Sequence, residues 1–271
     1  MMMKNNVMFL GCSHLSGAYS KDDIIIGPQS YAWHLWNLYG NNDRYVTFPN
    51  PAQGIIKYAS IVEYLDRNDL LKSFTHCVIQ LTQEPRTVFM SEHEQQFYDN
   101  ISEFLHSEKM FVDGSEIQTN PSFISLSENT RYVYEKYQHH FFETHGFFNA
   151  DYRTKFLKVT ETITESLKRS NTARALLPIS YSYIKNVLAK YDIKIAAFDW
   201  WGKDKDQVLS LSNVMGNEYL FNMGESVKSI MEHNGYWNRE EQSNLSHMNQ
   251  EQSYQVSEIL KEYMDNVKFF E

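Results

Sequence analysis

The sequence predicts an α/β domain, a three-layer α/β/α sandwich around a mostly parallel, five-stranded sheet. Three observations lead there. Short apolar runs such as Val7-Met8-Phe9-Leu10 and Cys77-Val78-Ile79-Gln80-Leu81 are near-continuous rather than alternating, which suits strands buried on both faces of a parallel sheet. Between them stand stretches whose apolar residues recur at helical spacing. The 271 residues, 42% hydrophobic and 15% aromatic, can bury the core of one such domain with an insertion.

Val7 to Leu10 is the first strand and runs into Gly11-Cys12-Ser13; a loop from Leu15 to Gly27 comes next. Pro28 opens a helix with Tyr31, Leu35 and Leu38 on one face and Gly40 as its stop. Tyr45-Val46-Thr47-Phe48 is the second strand, and Pro51 to about Leu71 is largely helical, with Ile55, Ala59, Val62 and Leu65 together. Cys77 to Leu81 is the third strand. Residues 84–150 break the rhythm: they are polar, rich in His and aromatics, and read as an insertion or lid. An amphipathic helix over 152–169 comes after it (Phe156, Val159, Ile163, Leu167). Ala175-Leu176-Leu177-Pro178-Ile179 reads as the fourth strand, 181–191 as a helix, and Ile193 to Phe198 as the fifth strand. A loop region from Asp199 to Ser246 leads to a last helix over 250–264. Asn249 is its N-cap, Gln252 stands at the capping-box spacing, and Val256, Ile259, Leu260 and Tyr263 form its apolar stripe. The chain from 1 to 271 reads as one domain.

The formal net charge of −9 comes without a cluster of Lys and Arg, which excludes a broad nucleic-acid surface. Two cysteines, Cys12 and Cys77, are too few for a disulfide scaffold and read as buried free thiols. The apolar run after Met1-Met2-Met3-Lys4-Asn5-Asn6 is short for a secretory signal. No stretch approaches the roughly 20 apolar residues of a membrane span. The chain therefore reads as a soluble, cytoplasmic protein with neither nucleic acid nor membrane as partner.

Chemistry concentrates at two distant places. Ser13 comes after a strand and a glycine, so it sits at the carboxyl edge of the sheet, where sites form in such folds. A serine hydroxyl needs a base to take its proton; alternatively Ser13 caps the loop backbone. His247, in Asn244-Leu245-Ser246-His247-Met248-Asn249, lies just before the capped helix, where an imidazole can reach into a site, and Asn244 can orient it through the other ring nitrogen. His14 points away from Ser13 if the segment is extended, and so is not the expected base. Asp199-Trp200-Trp201 comes after the fifth strand, where Asp199 could bind hydroxyls and Trp200 stack on a sugar ring; packing of the Trp pair against the sheet is the simpler reading. Arg86 could meet an anionic substrate group. His139, His140, Glu143 and His145 match no metal-binding spacing and read as a solvated or aromatic-packed face, so no metal is expected.

Together these pieces resemble the SGNH (GDSL-like) hydrolase superfamily. Its first block, Gly-Asp-Ser, is met by Gly11-Cys12-Ser13; its second, a glycine after the second strand, by Gly54 in Asn50-Pro51-Ala52-Gln53-Gly54. Its third, Gly-x-Asn-Asp, falls at Leu81-Thr82-Gln83-Glu84, and its fifth, Asp-x-x-His, at Asn244-Leu245-Ser246-His247. The matches run over almost the whole chain. Gly-Cys-Ser-His with a later helix carrying Trp33 and Trp36 looks similar to phage-encoded members, which would put the protein in a host cytoplasm or a virion. The resemblance implies a flavodoxin-like sheet and hydrolysis of a small or carbohydrate-linked ester, without a cofactor. Ser13 would be nucleophile and His247 base, then acid. The backbone N–H groups of Ser13 and Gly54 and the Gln83 amide would form the oxyanion hole. The sequence departs from the family at Gln83, one methylene longer than Asn, and at Asn244, which lacks the charge of Asp; Glu240 and Glu241 stand nearby. Losing one oxyanion donor costs about 10²–10³ in rate. The resemblance leaves two alternatives: a weakly active or inactive domain that binds glycan or protein, and an acyltransferase to a sugar hydroxyl.

Overall fold

The computed structural model describes residues 5–21, 25–27, 29–40, 43–49, 54–81, 87–90, 111–113, 123–126, 172–200, 215–221, 225–237 and 247–271. The predicted helix over 152–169, the histidine cluster at 139–145, and Gln83, Arg86, Trp201, Glu240, Glu241 and Asn244 lie outside them.

The chain is α/β. Strand β1 (Asn6–Gly11) is central, flanked by β2 (Arg44–Pro49) and β3 (His76–Leu81), with β5 (Lys194–Asp199) beyond β3. A three-residue strand, β4 (Phe111–Asp113), pairs on the outer edge of β2. Every pairing in this sheet is parallel. The continuous apolar runs have the predicted cause: Val7, Met8, Phe9 and Leu10 are all fully buried, and each residue of β3 is buried. Each large side chain so buried contributes roughly 1.5–3 kcal/mol.

The helices are α1 (Tyr31–Leu38), α2 (Ile55–Arg67), α3 (Thr172–Ala189), α4 (Val227–His233) and α5 (Gln250–Asn266). Ser30 caps α1 by accepting from the Trp33 N–H, and Gly40, at φ +82°, turns the chain out after its end as the sequence predicts. Asn249 and Gln252 close both arms of the capping box of α5. Helix α1 packs along α5 and α2 along α3. Tyr39 donates to Asp265 at 2.8 Å across the first pair, and Lys190 and Tyr191, just beyond α3, hold Asp66 of α2.

Four of the five predicted strands are strands here. The fourth, Ala175–Ile179, is instead part of α3, with Pro178 inside the helix. A short apolar run cannot be told from a buried helix segment by its pattern alone. The neighbouring residues decide: Tyr181, Ile184, Val187 and Leu188 are buried at helical spacing, and one helix carries the run and this stripe together. The predicted loop from Leu15 to Gly27 contains a short antiparallel pair, Ala18–Tyr19 with Ile25–Gly27. The loop predicted over 199–246 contains α4, whose capping box at Ser226 and Ser229 uses two serines, a weaker signal than Asn249 with Gln252. In the predicted insertion, Thr87–Met90 pairs antiparallel with Phe123–Leu126.

Candidate active site

The site grows from the end of β1. The chain leaves β1 toward β2 on one side and returns past it to β3 on the other, so the carboxyl end of β1 lies where the strand order reverses, the usual crevice of open α/β sheets. Gly11 ends the strand, and a Cβ there would lie 2.7 Å from Oε1 of Gln80 and 3.1 Å from Leu15. A larger residue would press on these two side chains, and glycine leaves room for the buried Gln80 side chain to accept from the Tyr31 hydroxyl at 3.2 Å. Cys12 then starts a single 3₁₀ turn, Ser13–Leu15, closed by Leu15 N–H to the Cys12 carbonyl and Ser16 N–H to the Ser13 carbonyl, both at 3.0 Å.

The turn aims the Ser13 hydroxyl at His247. Nε2 of His247 lies 2.9 Å from Oγ of Ser13, across 234 positions of sequence. Both residues are half-buried, so the pair is held by protein and still reachable from solvent. Two elements deliver the histidine. The capped start of α5 sets where the helix begins, and the fully buried Met248 anchors the residue between His247 and the cap.

Two aromatic side chains confine the imidazole. Tyr19 stacks on it, with ring centroids 4.1 Å apart and planes 17° apart. His14 meets it edge-on at 5.6 Å and is itself tilted against Trp200 at 4.5 Å. His14 is therefore buried within the wall of the site, beside the imidazole and not on the serine hydroxyl.

Of the other residues singled out from sequence, Gly54 is buried and stands as N-cap of α2, its carbonyl accepting from Lys57 and Tyr58. Asp199 ends β5 and is fully buried. Trp200 is fully buried too, against His14 on one side and Trp237, at 5.2 Å, on the other. The tryptophan packs the wall of the site and offers no exposed face for a sugar. Tyr19 was not legible in the sequence: it is one of 18 tyrosines, in a segment without periodicity. The sole local hint is Gly17, two residues earlier, at φ +138°.

Among the described residues no cluster of His, Cys, Asp and Glu could hold a metal ion, and no helix is long and apolar enough to cross a membrane. Cys12 and Cys77 are buried and form no disulfide. No family model, curated protein or solved structure matches this chain.

Proposed function

We propose that the protein is a serine ester hydrolase of SGNH type, acting on a small or carbohydrate-linked acyl ester. The observation that carries this reading is the 2.9 Å contact between Nε2 of His247 and the Ser13 hydroxyl at the strand-order reversal. A nucleophile within hydrogen-bond reach of a base, both reachable from solvent, is the arrangement that acyl transfer needs. The topology is compatible with the three-layer sandwich of that superfamily. The right-handed rule for parallel crossovers, applied to β1–α1–β2 and β2–α2–β3, would put α1 and α2 on opposite faces, and each has a second helix alongside.

In this reading Ser13 Oγ bonds to the ester carbonyl carbon as its proton passes to Nε2 of His247. The carbonyl oxygen takes the negative charge, which the N–H groups of Ser13 and Gly54 and the Gln83 amide would receive. The tetrahedral adduct then expels the alkoxide, which takes the proton from His247 and leaves as the alcohol. Water attacks the acyl-serine with His247 again as base, and the acid departs as Ser13 recovers its proton. Asn244, three residues before the histidine, would orient the imidazole without adding charge.

The test is labelling of the folded full chain by a fluorophosphonate probe, with hydrolysis of p-nitrophenyl acetate alongside. Wild-type protein is expected to label at Ser13 and turn over the ester, and Ser13→Ala to do neither. A folded wild-type chain that takes no label and releases no nitrophenol would overturn the reading.

A further inference from the structure

Tyr19 touches both members of the candidate pair. Its ring covers one face of the His247 imidazole. Its hydroxyl donates to the Ser13 carbonyl at 2.9 Å, the same oxygen that accepts from the Ser16 N–H. Its backbone N–H donates to the Met248 carbonyl at 2.9 Å, so one residue ties the turn after β1 to the segment entering α5. Gly17, at φ +138°, adopts a backbone conformation that side-chain-bearing residues rarely take. It lets the chain double back so that Tyr19, buried, reaches the serine turn just passed.

We infer that Tyr19 is a positioning residue for the Ser13–His247 pair, a role that rests on the function proposed above. The imidazole is faced by Ser13 at Nε2, Tyr19 on its plane and His14 at its edge. Rotation of the ring out of line with Oγ would break the stack on Tyr19. The stack also acts on charge. When the Ser13 proton reaches Nε2 the ring becomes a cation, and the electron-rich face of a tyrosine 4.1 Å away stabilises it. Tyr19 itself exchanges no proton and forms no bond.

The experiment measures the rate of fluorophosphonate labelling of Ser13 across pH 5–9 in the full chain, with thermal melts to verify folding. Tyr19→Leu removes both ring and hydroxyl. It is expected to slow labelling about tenfold to a hundredfold, the scale of lost alignment, and to move the acid limb of the profile to lower pH because the imidazolium loses its aromatic face. Tyr19→Phe keeps the ring and is expected to restore the wild-type acid limb, with a rate within about threefold of wild type. A folded Tyr19→Leu with wild-type rate and profile overturns the inference. So does a folded Tyr19→Phe whose acid limb departs from the wild-type position although the ring is kept, which tests the idea even where the Leu variant fails to fold. Absence of labelling in the folded wild-type protein removes the proposed function itself, and is thereby distinguished from a failure of Tyr19 alone.

Discussion

Two histidines join the C-terminal helix to the sheet, one at each end, and their surroundings differ in a way that separates chemistry from structure. His247, at the start of α5, meets the carboxyl edge of the sheet; His76, at the start of β3, meets the segment after the end of α5. Nε2 of His76 lies 2.9 Å from the Phe269 carbonyl and Nδ1 lies 2.8 Å from the Thr75 hydroxyl. Since a carbonyl accepts, Nε2 carries the proton and donates, and Nδ1 accepts. The ring is buried and walled by Phe269 and Phe270. Nε2 is thus committed to holding the C-terminal segment, and Nδ1 is taken up by the neighbouring Thr75 hydroxyl. His247 has instead a hydroxyl at Nε2, a group whose proton it can accept, and it keeps a path to solvent. Burial by aromatics is common to both; the chemical partner of Nε2 is what distinguishes them.

The comparison breaks most sharply under exchange of roles. His247→Ala is expected to lower labelling of Ser13 and ester turnover by roughly 10⁴- to 10⁶-fold, with a small change in the thermal midpoint. His76→Leu should do the reverse. It leaves the buried Phe269 carbonyl without its donor and should cost about 1–3 kcal/mol in urea melts, while the folded fraction labels at the wild-type rate. Loss of labelling in folded His76→Leu, or of stability in His247→Ala, would erase the distinction.

Acid provides a smaller effect. Burial pushes the His76 pKa below its ordinary value, opposed in part by the bond to the Phe269 carbonyl, and burial does the same to His34 in the α1–α5 interface. The fold therefore favours the neutral rings. Stability is complete above the unfolded histidine value of about 6.5 and is lost as pH falls from there through the lower folded value. Urea midpoints taken from pH 7.5 to pH 5 should fall, and fall less steeply in His76→Leu, with His34 accounting for part of the remainder. An identical slope in the two proteins would contradict this account.

The smallest expected effect concerns the frame that carries His247. Asn249 accepts from the Gln252 N–H at 2.8 Å, and Asn249→Ala should destabilise the protein by about 0.5–2 kcal/mol. Because Met248 stays anchored in the core and to Tyr19, labelling by the folded protein should change little. A large loss of labelling would mean that the cap, and not the aromatic wall, aligns the imidazole.

Local chemistry made several features legible in the sequence alone. The run Val7–Leu10 announces a strand buried on both faces because no residue in it can face water cheaply. Gly11-Cys12-Ser13 announces a turn at the sheet edge, and Asn249 with Gln252 announces the start of α5, because a capping box is completed within four residues. The fourth predicted strand failed for the complementary reason. Five apolar residues at 175–179 satisfy a strand and a buried helix equally, and the choice is made by the stripe at Tyr181, Ile184 and Leu188 pressing on the core.

His247 was legible as a histidine at a helix start and Ser13 as a serine at a strand end, but their separation of 234 residues carries no local signal. Only the strand order, which runs the chain past β1 in both directions and brings α5 back along α1, decides that the two meet. Only that packing decides that Trp200 is wall rather than surface, and that Tyr19 falls across the imidazole. Those outcomes are sums over contacts between distant segments, whereas caps, turns and buried strands are settled among neighbours.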